Sequence, residues 1–181
     1  MSIDRRFIVD IFEDIVNEVR LEFDPTNEKT PYYMYGHPID VTRQLEFKEN
    51  MTSKLEKFPL IYLLLDLPKN ADNNLLYQYK VSPTIFVLAQ TDPSFTSTER
   101  TDVTFKPILY PITDLLIQKI NESQHLIGKT YGVEYTWTDK YFWGKEGIRI
   151  KGYEGLIFND YLDGIELNLK DLQIIKSDEC F

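Results

Sequence analysis

Leu60-Ile-Tyr-Leu-Leu-Leu-Asp66 and Thr84-Ile-Phe-Val-Leu-Ala89 decide the fold of this chain. The first run is apolar until Asp66, so it reads as a central strand. Lys69 to Asn74 is a polar turn, and Gln78 to Gln90 reads as a long strand interrupted by Pro83. Proline cannot donate to a ladder, so Pro83 implies an edge or a bulge. A hairpin between the two runs is the economical pairing.

Working outward, Gln90 to Asp102 is polar and rich in Ser and Thr, and reads as a projecting arm over 91–104 with Phe95 at its middle. A helix follows over Pro107–Ile120, with Ile108, Ile112, Leu115, Leu116 and Ile120 at helical spacing. Its start is crowded by Pro107 and Pro111, the latter fitting a first turn or marking a kink.

Upstream, Ile3, Phe7, Ile8, Ile11, Phe12, Ile15, Val19 and Phe23 line one face of a helix over 3–23. Ser2 suits its N-cap, and Asp24-Pro25 stops it. Tyr32 to Gly36 is a short strand. Ile39, Val41, Leu45 and Phe47 suggest a half-exposed strand, with a helix over 41–57 as the competing reading.

Downstream, Tyr131, Val133, Tyr135 and Trp137 alternate with Thr130, Glu134, Thr136 and Thr138, as in a strand. Lys140 to Gly155 combines four glycines with Tyr141, Phe142, Trp143 and Tyr153. It reads as an irregular loop, within a second projection at 139–160. Ile165, Leu167 and Leu169 make a last strand, whose phase shifts at Leu172 and Ile174 through a bulge near Asp171. The order of elements predicts one α+β domain over 1–181. It would have a mainly antiparallel sheet, with the N-terminal helix and a second long helix packed on one face.

The chain has 181 residues, enough to bury roughly 70% of its unfolded surface. It carries 12 Tyr, 11 Phe and 2 Trp, residue types that favour both strands and interfaces. A net charge of −9 disfavours generic nucleic-acid binding, because phosphates repel a negative body. Lys140, Lys145, Arg149 and Lys151, mixed with Glu146, read as a solvated loop. The one cysteine, Cys180, excludes an internal disulfide and has no base nearby. With no signal-peptide pattern and no apolar run near ~20 residues, a cytoplasmic protein is expected.

Catalytic constellations are missing from the sequence. The glycines do not make a phosphate cradle. His37 and His125 are isolated, without metal-ligand spacing, and no cofactor is expected. Asp160 and Asp163 come nearest to an acid pair, but Asp163-Gly164 reads more simply as a turn. Long structureless connections are uncommon unless functional or disordered. The two projections therefore carry the candidate interface residues: Phe95, Glu99, Arg100, Tyr141, Phe142, Trp143 and Tyr153.

Phe58-Pro-Leu-Ile-Tyr-Leu, Val81-Ser-Pro-Thr-Ile-Phe-Val-Leu, Glu99-Arg100 through Ile120, and Asp160-Tyr-Leu-Asp-Gly-Ile-Glu-Leu-Asn-Leu carry a resemblance of layout that extends over about two thirds of the chain. In layout the chain resembles the bacteriophage tail-completion, tail-terminator and head–tail connector proteins. The resemblance implies a structural virion protein, assembled in the bacterial cytoplasm, with no reaction catalysed. It implies a homo-oligomeric ring, hexameric or dodecameric, contacting other neck or tail proteins. Contacts would run through the arm, the aromatic loop and the acidic face of the first helix. DNA would pass the ring without being gripped, and no membrane is involved. The rival readings are a monomeric adaptor or inhibitor-type binding protein, and a small hydrolase using Asp160 and Asp163.

Overall fold

The computed structural model describes residues 7–24, 31–50, 57–65, 69–70, 77–127, 132–144 and 160–175. Its elements are α1 (Ile8–Phe23), β1 (Tyr32–Gly36), α2 (Pro38–Asn50), β2 (Leu60–Leu64), β3 (Lys69–Asn70), β4 (Tyr77–Val81) and β5 (Thr84–Gln90). They continue with α3 (Ser97–Arg100), a π-helical segment (Thr101–Leu109), α4 (Tyr110–Glu122), β6 (Leu126–Ile127), β7 (Glu134–Lys140), β8 (Leu162–Lys170) and β9 (Leu172–Ile175). This is an α+β fold.

The main sheet has five strands in the order β1-β2-β5-β8-β7. The expected antiparallel pairing of β2 and β5 is present, with Leu60 opposite Leu88 and Leu63 opposite Ile85. The two do not make a simple hairpin: the connection runs through β3 and β4, which pair with each other in a second sheet, so Lys69–Asn70 is strand and not turn. β2 and β5 are buried on both faces. Ile61, Leu63, Ile85, Val87 and Ala89 point to one core, and Leu60, Tyr62, Phe86 and Leu88 point to the other. Side chains alternate along a strand, so double burial gives an unbroken apolar run.

Over the first face lie α1 and α4. Ile8, Ile11, Phe12, Ile15, Val16 and Val19 of α1 meet Ile112, Leu116 and Ile120 of α4 above the sheet. Two long helices thus share one face, as the spacing predicts. The second face differs from expectation. Residues 38–50 form helix α2, and Val41 and Leu45, one helical turn apart, pack on Met34, Leu60 and Tyr62. The chain needs a crossover there because β1 and β2 run parallel, with Tyr32 opposite Leu60. The strand reading of 39–47 is therefore corrected, since Ile39 and Phe47 are exposed rather than half-buried partners.

A second sheet, β3-β4-β9-β6, grows from the first. The ladder between β5 and β8 continues as the ladder between β4 and β9, and the corner lies at Ser82-Pro83 against Asp171. Thr84 faces Asn168 but Val81 faces Leu172, so three residues oppose two and Asp171 takes a left-handed turn (φ +53°). Pro83 sits in this break, where no ladder donor is missed. The predicted bulge and the predicted interruption are one feature.

The segment read as a projecting arm, 91–104, is a turn followed by helix. After a tight turn at 92–95, one helix runs from Ser97 to Glu122. Arg100 and Tyr110 keep helical dihedrals (φ −59°, ψ −43°; φ −63°, ψ −49°), so the three segments join without a break. Pro107 has no N–H and crowds the preceding turn. The wider π turns, bonded across five residues, accommodate it. The predicted start at Pro107 is corrected to Ser97.

Candidate functional site

Arg100 is fully buried, at 0% exposure, and so is Asp163, its partner at 2.9 Å. The guanidinium donates from Nε to the Phe95 carbonyl (3.1 Å) and from Nη2 to the Asp92 carbonyl (2.8 Å). Nη1 donates to both Thr91 Oγ1 (3.2 Å) and Asp163 Oδ1 (2.9 Å). Asp163 Oδ1 also accepts the Phe142 N–H at 3.0 Å, and the Phe142 ring lies 3.5 Å from the guanidinium carbon. Phe142 reaches both partners by adopting φ +53°, a conformation a non-glycine residue seldom takes. One buried ion pair thus fastens the 91–96 turn, the helix start, β8 and the corner after β7. Such pairs are strong determinants of position, because either charge left alone in the interior is costly.

Glu99 has a local role. Its carboxylate accepts from the Thr96 N–H (2.7 Å), and its own N–H donates to Thr96 Oγ1 (3.3 Å), a reciprocal cap on α3. Those hydrogen bonds hold the Glu99 carboxyl below the usual glutamate range, first through the backbone N–H and then through the hydroxyl.

The outermost strand of the main sheet is β7. Its seven residues pair with β8 on one side, Trp137 opposite Leu167. Among the described residues no strand pairs with its other side. Large aromatics gather there, with exposures from 37% at Tyr141 to 41% at Tyr135, Trp137 and Phe142 lying between. Trp137 stacks on Tyr110 (5.8 Å, 6°), and Tyr110 donates to Asp139 Oδ2 (2.8 Å). Burial first, then that carboxylate, pushes the Tyr110 hydroxyl up to about 12. Tyr141 stacks against Phe105 at 4.5 Å and shares a hydrogen bond with Thr101 at 3.0 Å. On the opposite face, Lys140 pairs with Glu166 (2.9 Å) and Lys170 with Glu134 (3.3 Å).

The structure therefore divides the sequence-predicted residues. Tyr141 and Phe142 stand at the surface beside β7, while Phe95 is half-buried and Glu99 is exposed. Arg100 and Trp143 are corrected: both belong to the interior. Trp143 is 2% exposed, stacks on Phe86 at 4.6 Å and covers the second core. Tyr153, Cys180 and most of the 139–160 loop lie outside the described residues. The sequence places Tyr135 and Trp137 on a strand without marking them as contact residues. Their signal is present nonetheless, because two large aromatics alternate with threonines next to Tyr141.

Both halves of the candidate acid pair are engaged in ion pairs within the chain. Asp163-Gly164 is not a turn but lies inside β8, where a side chain on Gly164 would come within 2.6 Å of Leu88 Cδ2. Asp163 is enclosed with Arg100, and Asp160 pairs with Lys57 at 3.3 Å. A groove of about 440 Å³ between α1 and α4 is lined by Asp14, Glu18, Lys119, Glu122 and His125. Lys119 spans it, 2.9 Å from Glu22 and 3.2 Å from Glu122. Among the described residues no group of His, Cys, Asp and Glu is gathered to hold a metal ion, and no helix is long and apolar enough to cross a membrane. Comparison of the chain with protein-family models, with curated proteins and with solved structures gave no match.

Proposed function

We propose that this protein is a structural component that works as a homo-oligomer, a ring subunit at the head–tail junction or in the tail of a tailed bacteriophage. The observation that supports this most is the β7 edge, a strand whose outer side pairs with no other strand among the described residues and which is flanked by four exposed aromatics. An uncovered edge is a template for another strand, and monomeric proteins usually blunt it with a proline, a bulge or a covering loop. Here the strand contains no proline, and its pairing with β8 is regular from Glu134 to Lys140. Tyr and Trp are the residues that anchor protein contacts.

The Arg100–Asp163 pair fits the same reading as a device that fixes the corner carrying Tyr141 and Phe142. A body with net charge −9 suits a ring through which DNA passes without adhering. The test is the solution mass of the purified chain and of Tyr135→Ser/Trp137→Ser. Assembly of the wild type, with clear weakening in the variant, supports the reading. A wild type that stays monomeric at the highest concentration it tolerates rejects it and favours a monomeric binding protein.

A further inference from the structure

Strand β7 reads Glu134-Tyr-Thr-Trp-Thr-Asp-Lys140, with opposite charges at its two ends and Trp137 at its centre. We propose that β7 pairs antiparallel with β7 of a second copy, in the register centred on Trp137, joining two five-stranded sheets across a two-fold axis. This rests on the homo-oligomeric reading above and specifies its contact.

In that register Glu134 lies opposite Lys140 of the second copy, twice over by symmetry. Thr136 lies opposite Thr138, and Trp137 meets its own counterpart. A two-fold contact must be self-complementary, and this strand is. The smallest slip that keeps both sheets facing the same way is two residues. It would set Glu134 against Thr138 or against Phe142, and both charge pairs would vanish.

Intrachain pairs extend the match. Glu134 is already held by Lys170 at 3.3 Å, and Lys140 by Glu166 at 2.9 Å. Across the junction a chain of ion pairs then runs Lys170, Glu134, Lys140 of the second copy, Glu166 of the second copy, the last step diagonal because Gly164 is the residue opposite Lys140. The signs alternate throughout, so the new neighbours reinforce the existing ones. Cross-strand pairs of opposite charge stabilise a sheet, and like charges directly opposite destabilise it. On the other face, the Trp137–Tyr110 stack of each copy abuts that of its neighbour. A ring using this isologous contact alternates it with a second surface and has an even number of copies.

The test compares the full chain with Glu134→Lys, with Lys140→Glu, and with an equimolar mixture of the two, by sedimentation. Circular dichroism checks that each variant is folded. Each variant alone places like charges opposite at both symmetric positions, so self-association should weaken about tenfold. In the mixture, the lysine introduced in one variant faces the glutamate introduced in the other. The native Lys140 of the first likewise faces the native Glu134 of the second, so association between the two variants should recover most of that loss. A wild type without self-association overturns the assembly reading and this contact with it. Wild-type association with unweakened variants, or with a mixture as weak as its components, overturns only the β7 register.

Discussion

Arg100 shows how one side chain can set the position of a surface it does not reach. Its guanidinium satisfies two turn carbonyls, a hydroxyl and a carboxylate, all from the interior. Arg100→Ala would leave Asp163 charged, buried and alone, so the folded state should lose about 3–5 kcal/mol in denaturant unfolding. Replacing both partners, as Arg100→Met with Asp163→Leu, should restore only part of that loss. The carbonyl of Phe95 and the N–H of Phe142 would still lack a partner, and the Asp92 carbonyl would keep only the Phe95 N–H. Full recovery by the double variant would show that the ion pair acts alone and not as a hub. Tyr110 offers a second check, by ultraviolet titration. Its folded pKa is raised to about 12 above an ordinary value near 10, mainly by burial and then by Asp139. Its contribution to stability is therefore complete below the ordinary value and fades as pH rises from about 10 to about 12. Tyr33 and Tyr79 are raised as well, so the test is a difference: Tyr110→Phe should remove one tyrosine step near 12, leave the other late ones, and flatten part of the alkaline limb of the stability curve.

Among the elements, the 97–122 helix depends on its first turn. Thr96→Ala removes the hydroxyl half of the reciprocal cap and should cost about 1 kcal/mol, without altering self-association. The Glu99 carboxyl is held below its ordinary range, so its share of the cap is present above that range and lost as pH falls through the lowered value. A Thr96→Ala protein that unfolds like the wild type would show that packing alone fixes the helix start. The elements also differ in how plainly the sequence announces them. β2 and β5 are legible because burial on both faces leaves no polar interruption, and α1 because its apolar residues recur every three or four positions. α2 is not, since the exposed apolar residues Ile39 and Phe47 imitate strand alternation beside the two that are buried, Val41 and Leu45. The helical turns at 97–106 are polar on their outer side and precede a proline, so they resemble a loop. The Arg100–Asp163 pair joins residues far apart in sequence, and nothing local in a Ser/Thr-rich segment marks an arginine as buried. Trp137 is legible as a strand residue but not as an edge residue, because strand order is set by long-range pairing.

At the scale of the whole molecule, helices lie on both faces of the main sheet, and among the described residues no strand pairs with the outer side of β7. Two cores hold the monomer together, one under α1 and α4 and one under α2 and Trp143. The exposed aromatics at the edge belong to neither, so, below the concentration at which copies associate, Tyr135→Ser/Trp137→Ser should lower the unfolding midpoint only slightly, through the lost Trp137–Tyr110 stack worth about 1 kcal/mol, while weakening assembly at higher concentration. A large fall in that midpoint would mean that the edge aromatics support the monomer instead. The central claim is that copies of this chain build a closed assembly, and its mass in solution tests that most directly. Native mass measurement of the purified protein should show one assembly at six or twelve times the 21.4 kDa chain, reduced to smaller species by Tyr135→Ser/Trp137→Ser. A wild type found only at the mass of the single chain, at every concentration, would contradict the account.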